Sequence, residues 1–503
     1  MASSSSLLCL SLLSLLLSNF CLAQIEQVPL GIQSGQRQRQ KQQRWQTQCQ
    51  FERLNARQPN RRVESEAGVS EYWDIQGQED DELQCAGVEV ARHTIQQRGL
   101  LLPSFLNAPI IFYVLQGMHA FIIYSRGIHG AVIPGCPETF GRGSSQQYRG
   151  YLSQGSEEQH QKVREIQAGD IVALPAGVAS WVYNNGGSPL VLISFVDVGN
   201  QANQLDQFTR RFHLGGNPQR EQRSEQQVRV QRQSRREERS LLRLQNPNGN
   251  IFSGFDVRLL AESFKIDTEL ARRLQNRDDR RERIVRVRED LSIITPARIE
   301  EEERRRYGGY EGSYGEYYNG LEETFCTLRL RHNIDHPSQA DIFNPRGGRV
   351  TTVNSFNLPI LRFLQLTAKR AVLYKNALLA PHYSPNSHNV LYVTRGSGRV
   401  QVSDDFGRNV FDGELQEGQV FVVPQNHAVV QQASSRGFEW ISVKTNENAI
   451  NQPLAGRISA IRAMPEDVLA NAFRISREQA RRLKYNRDEV SVFTPSSQQG
   501  GLE

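Results

Sequence analysis

The sequence predicts a mainly β protein: two repeated barrel-like units, each followed by a small α-helical extension, with disordered polar linkers between them. Three observations carry this reading. Short β-branched and aromatic runs broken by Gly and Pro occur twice, in "IIFYVLQGMHAFII" with "AGDIVALPAGVASWVYNNGGSPLVLISF", and in "NVLYVTRGSGRVQV" with "EGQVFVVPQNHAVVQQASSRGFEWISV". A helical stretch follows each. "FDVRLLAESFKIDTELARRL" and "MPEDVLANAFRISREQARRL" share Ala261/Ala470, Phe264/Phe473, Ala271/Ala480 and Leu274/Leu483 at one offset, which points to duplication. The third observation is the polar, low-complexity composition of the intervening segments, too poor in apolar residues to offset ordering entropy.

The chain of 503 residues is too long for one core. Residues 1–23 run through an apolar Leu/Ser stretch to small residues, a secretory signal cut between Ala23 and Gln24. That stretch is short and serine-broken for a membrane anchor, and no later run is long enough to span a bilayer. Removal of the signal leaves Cys49, Cys85, Cys136 and Cys326 in an oxidising lumen. These predict two disulfides, for which three pairings are open. A Gln/Arg-rich segment covers 24–48, and the first unit with its helices covers 49–285, interrupted by a variable loop at about 217–240. A linker follows over 286–319, then the second unit with its helices over 320–490 and a tail over 491–503. "TFCTLRLR", after Asn319-Gly320, has the composition of a strand, whereas "RGSGRV" reads as a turn.

Charge excludes some functions. The 60 basic and 54 acidic residues leave a net charge of only +6. The loop over 217–240 interleaves seven arginines with four glutamates rather than forming a basic stripe, so no nucleic-acid or membrane partner is expected. Catalytic motifs are wanting as well. "HNIDH" has Asn333 where a metalloprotease needs Glu and lies in strand-like sequence. There is no G-x-S-x-G elbow and no Cys/His zinc spacing.

The two repeats resemble the cupins, jelly-roll barrels that hold a metal on G-x5-H-x-H-x(3,4)-E-x6-G and G-x5-P-x-G-x2-H-x3-N. Gly169, Pro175, Gly177 and Asn184 keep the landmarks of the second motif, but Ser180 stands at its histidine. The ligand positions of the first motif fall on Ser104, Leu106 and Ile110. In the second repeat they fall on His382, Ser384, Asn389 and Val429, so His382 alone is retained. A divalent metal needs several lone pairs converging at about 2 Å. The resemblance therefore implies two cupin jelly-roll barrels without a cofactor, a catalytic residue or a metal.

A second resemblance is more specific. "NGLEETFCTLRLRHNIDHPSQAD" is similar to the junction signature of the legumin-type (11S) seed storage globulins, and "CQFERLNARQPNRRVESEAG" and "GCPETFG" extend the likeness over most of the chain. It implies a nitrogen and carbon reserve in seed storage vacuoles. The resemblance further implies cleavage between Asn319 and Gly320 by an asparaginyl endopeptidase, and disulfides Cys49–Cys85 and Cys136–Cys326. The precursor would form trimers and, once cut, hexamers. Residues 24–319 carry 39 basic against 37 acidic residues, so the first chain departs from the acidic label given to it in the family. The alternatives are a metal-dependent cupin oxidase or decarboxylase, and a vicilin-like, sugar-binding bicupin.

Overall fold

The first repeat folds as two facing antiparallel sheets. Its strands are β1 (Arg61–Ser65), β2 (Gly68–Trp73), β3 (Val88–Ile95), β4 (Gly99–Leu106), β5 (Ile110–Leu115) and β6 (Arg126–Val132). A short pair, β7 (Thr139–Phe140) and β8 (Gln159–His160), precedes β9 (Val163–Gln167), β10 (Asp170–Leu174), β11 (Ala179–Tyr183), β12 (Leu190–Asp197), β13 (Arg211–His213) and β14 (Ile284–Arg286). The computed structural model describes residue 49 and residues 51–75, 82–115, 126–136, 139–140, 159–160, 163–205, 208–224, 249–289, 291 and 328–494. One sheet contains β1-β2-β3-β12-β5-β10 in that order, and the other β13-β4-β11-β6-β9, with β14 beside β4. Central strands such as β12 ("LVLISFVD") are almost wholly apolar because both faces are covered, and they lack the alternation of a half-exposed strand.

The second repeat continues the strands as β15 (Arg331–Asn333), β16 (Ile342–Asn344), β17 (Gly348–Val353), β18 (Thr367–Leu373), β19 (Leu378–Tyr383), β20 (Asn389–Ser403), β21 (Asn409–Gln416), β22 (Val420–Val423), β23 (Ala428–Lys444), β24 (Gln452–Pro453) and β25 (Val492–Phe493). The long strands β20 and β23 bend around the barrel through irregularities at Val393/Arg395 and Gly396/Gly398. Gly396 has φ 72°, and a Cβ there would collide with the Gly437 carbonyl oxygen. The strand thus runs through "RGSGRV", where a turn was expected, because glycine accommodates the bend inside the ladder.

Each barrel carries the expected helix pair: Val257–Phe264 with Thr268–Gln275, and Glu466–Phe473 with Arg477–Tyr485. Asp256, Asp267 and Ser476 cap three of the four N-termini through their side chains, Ser476 in a reciprocal capping box with Gln479.

The barrels are joined by pseudo-symmetric contacts. Arg92 on β3 donates to the Tyr392 hydroxyl on β20 at 3.1 Å, while the Arg370 guanidinium on β18 lies 6.0 Å from the ring of Tyr113 on β5. The termini of the repeats are also exchanged. β15 adds to the first barrel's sheet beside β10, pairing Asp170 with Asn333 and Val172 with Arg331. Reciprocally, Arg57 near the start of the first repeat bridges to Val420 on β22 of the second. Residues 51–503 are one compact unit, and a single apolar cluster includes Ile111 and Leu174 together with Ile334, Leu361 and Tyr392.

Three boundaries read from sequence need correction. The loop expected from 217 is folded through Ser224, because Asn217 and Glu221 are buried against the first barrel. Residues 324–327 of "TFCTLRLR" lie outside the described residues; among the described ones the strand is Arg331–Asn333, and it joins the first barrel's sheet rather than the second's. Val492 and Phe493 pair with Leu379 and Leu378, so the barrel extends past the expected start of the tail at 491.

Candidate functional site

Strands β4 and β11 lie side by side in the first barrel with Ser104 opposite Ser180. Those two serines, Leu106 and Ile110 line one cavity of about 30 Å³. All four positions that the motif assigns to metal ligands thus converge, as the register of a jelly roll requires. No carboxylate is among the described residues that line the cavity. His93 does line it, but its Nδ1 faces the Ser70 hydroxyl at 2.9 Å. Burial, reinforced by Arg283, holds this imidazole well below its ordinary pKa.

Arg211 and Arg283 also line the cavity. Behind them stands Glu221, whose Oε1 accepts from the Tyr72 hydroxyl at 2.6 Å and from Arg283 at 3.4 Å, and lies 3.6 Å from Arg211 Nε. Glu221 is fully buried. Desolvation opposes its ionisation, and Arg283, His213 and Arg211 outweigh that and hold its carboxyl well below the usual range. A divalent cation placed at Ser104 and Ser180 would meet two positive charges and no anionic ligand, so the residues present do not fit a metal.

In the second barrel His382 and Val429 are register partners on β19 and β23, and Asn389 faces Lys444 across β20 and β23. Lys444 donates to Ser384 Oγ at 2.6 Å and to Asn451 Oδ1. An amine therefore stands among the four positions where a metal would need to sit. His382 is buried, its Nδ1 donating to the Ala380 carbonyl at 2.8 Å. Burial and then Lys369 and Lys444 push its pKa down to about 3. Burial also lowers Lys369, to about 8, and Lys444 well below its ordinary value. A single imidazole beside two lysines does not fit a metal either.

Lys369, Lys444, Arg211, Arg283 and Glu221 escaped the reading from sequence, because a motif search asks only what has been lost at its own positions. Lys369 in "LTAKRAVL" and Lys444 in "WISVKT" did leave a signal, as charges inside apolar strand runs. Glu221 left none within a Gln/Arg tract. In "HNIDH", His332 sits on β15 opposite Ile171, and His336 is exposed with its Nδ1 2.7 Å from Ser338 Oγ. Cys49, Cys85 and Cys136 are each disulfide-bonded. Ala23, Gln24, Asn319, Gly320 and Cys326 lie outside the described residues.

The cupin family model matches residues 54–220 and 332–481, the two barrels just described. The 11S globulin subunit beta of Cucurbita maxima is 49% identical over 489 residues, covering 96% of this chain and 97% of that protein. This chain belongs to the 11S seed storage globulins. Solved structures agree with that placement. Pumpkin seed globulin superposes with a TM-score of 0.72 at 46% identity, over 89% of this chain and all of the pumpkin chain. The recombinant pro-11S globulin of pumpkin matches with a TM-score of 0.72 at 45% identity and the same coverage. The globulin is accordingly a seed storage protein, a nutrient reserve on a duplicated cupin scaffold.

Proposed function

We propose that the globulin is a chemically silent reserve of nitrogen and carbon, without enzymatic activity, deposited in the seed storage vacuole through the secretory pathway. The observation that carries this reading is the substitution of both ligand sets, by Ser104, Leu106, Ile110 and Ser180 in one barrel and by Ser384, Asn389 and Val429 around Lys444 in the other. A metal-dependent oxidase or decarboxylase would need those ligands. The vicilin-like alternative has no specific observation in its favour.

The proposal extends to maturation and assembly. An asparaginyl endopeptidase cuts between Asn319 and Gly320, after the signal has been removed between Ala23 and Gln24. Cys49 pairs with Cys85, and Cys136 with Cys326 ties the two resulting chains together. Copies of the chain join head to tail through the helix pairs. Leu259 and Phe264 at one end and Val468 and Phe473 at the other are each at least half exposed, and they occupy equivalent places in the duplicated units. Such a heterologous contact closes into a ring, here a trimer, two of which stack as a hexamer after the cut. Denaturing electrophoresis of seed protein tests the maturation. One band is expected without reductant and two unequal bands with it, the smaller beginning Gly-Leu-Glu-Glu. A single chain under reduction, or another amino terminus, would overturn the reading.

A further inference from the structure

Residues 217–224, helical from 219, form a strap laid against the first barrel. Asn217 donates to the Arg277 carbonyl at 2.6 Å and Gln222 to the Gly249 carbonyl at 2.7 Å. Between them the Arg220 amide donates to Glu282 Oε1 at 3.1 Å. Arg220 and Arg223 are exposed, whereas Glu221 is buried. Its carboxylate meets donors that the barrel itself positions. Tyr72 is held on β2 by its pairing with Ala91 on β3, and its ring packs edge-on against His93 at 5.9 Å. Arg283 stands one residue before β14, and its carbonyl accepts from the Leu102 amide of β4 at 3.0 Å.

The match between carboxylate and donors is incomplete on both sides. Glu221 Oε1 takes the Tyr72 hydroxyl at 2.6 Å and Arg283 Nη1 at 3.4 Å. Glu221 Oε2 and Arg283 Nε, both buried, have no hydrogen-bond partner among the described residues. Leaving a buried donor and a buried acceptor unused is costly. A carboxylate free to turn takes a guanidinium through two parallel N–H···O bonds, the stronger arrangement. Glu221 is not free to turn, because the strap holds its backbone on either side. The donors therefore form a carboxylate site by themselves, and a tethered side chain fills it imperfectly.

We propose that Tyr72 and Arg283 form a carboxylate-binding site in the first barrel, which the chain fills with its own Glu221, and which takes a small external carboxylate of acetate size once that side chain is gone. The tether keeps the side chain at a high effective concentration, so external acids leave it in place in the intact protein. The same contact holds the strap against the barrel.

Glu221→Ala provides the test, because it removes the atoms of one acetate ion (Cγ, Cδ and both oxygens) and spares the donors. Its melting temperature should fall by about 4 °C, since a buried guanidinium loses its partner. Acetate added at fixed ionic strength should raise it again, saturably, by about 1 °C or more. Acetamide, of the same shape without the charge, should not, and acetate should have no such effect on the unaltered protein. Crystals of the variant grown in acetate should show the ion between Arg283 and Tyr72. Glu221→Gln, which keeps the shape of the side chain, serves if the alanine variant does not fold, and it should melt below the unaltered protein. Equal melting of the alanine variant in acetate, acetamide and chloride would overturn the proposal. So would an equal rise with acetate in the unaltered protein, or a glutamine variant as stable as that protein.

Discussion

Asp197 closes β12, where the first barrel meets the second. Its Oδ2 accepts from Asn200 Nδ2 at 3.0 Å, and the same amide donates to the Leu364 carbonyl of the second repeat at 2.8 Å. Burial dominates its environment and pushes the carboxyl up to about 7, the hydrogen bonds from Asn200 and Gly199 being too few to reverse it. The folded protein therefore holds this proton more tightly than the unfolded chain, where the ordinary value is 3.8. The stability it contributes is complete below that value and is lost as pH rises towards 7. Asp197→Asn lacks the titration, so the wild type should lose melting temperature relative to this variant between pH 4 and pH 7. A difference that stays constant across that range would remove Asp197 from the explanation.

Strands and helices explain which parts of the molecule could be read from sequence. The duplication was legible because the helix pairs repeat their apolar positions at one offset and the barrels repeat their Gly/Pro punctuation. Strand β15 was not legible as part of the first barrel, since "LRLRHN" carries no mark of which sheet it joins. Its place is fixed at long range by β10, with Arg331 3.0 Å from Asp170 and Asn333 donating to the same carboxylate at 3.0 Å. The burial of Glu221 was hidden for a similar reason, because its partners Tyr72 and Arg283 lie 149 and 62 residues away. The helices support a prediction of their own. Leu260 and Ala271 are buried within the first pair, while Leu259, 62% exposed, and Val468, 50% exposed, face outwards. Leu259→Asp or Val468→Asp should convert trimers to single protomers in sedimentation, with the circular dichroism spectrum unchanged. An unaltered sedimentation mass for both variants would place the contact between copies elsewhere.

At the scale of the whole molecule, the contacts between the repeats are such that the proposed cut between them would not separate them. Each repeat sends a terminal arm to the other's barrel: Leu54 donates to the Val410 carbonyl at 2.8 Å, and Ile334 donates to the Gly169 carbonyl at 2.8 Å. Asp335 adds a link between barrels, accepting from Tyr113 at 2.6 Å and from Arg370 at 2.8 Å. Cleaved protein treated with reductant but not denaturant should therefore keep its sedimentation mass, and dissociation into two chains on reduction alone would contradict the interlocked arrangement. The departure from the metal-binding motif was legible at Ser104, Leu106, Ile110 and Ser180, whereas the basic residues beside those positions were not, because Arg211, Arg283 and Lys444 lie outside the motif. The reading that neither barrel's ligand positions suit a metal is tested most directly by metal content. Elemental analysis of extensively dialysed native protein should find no stoichiometric manganese, iron, zinc or copper, and one tightly held ion per barrel would contradict the reading of this globulin as a scaffold kept for storage alone.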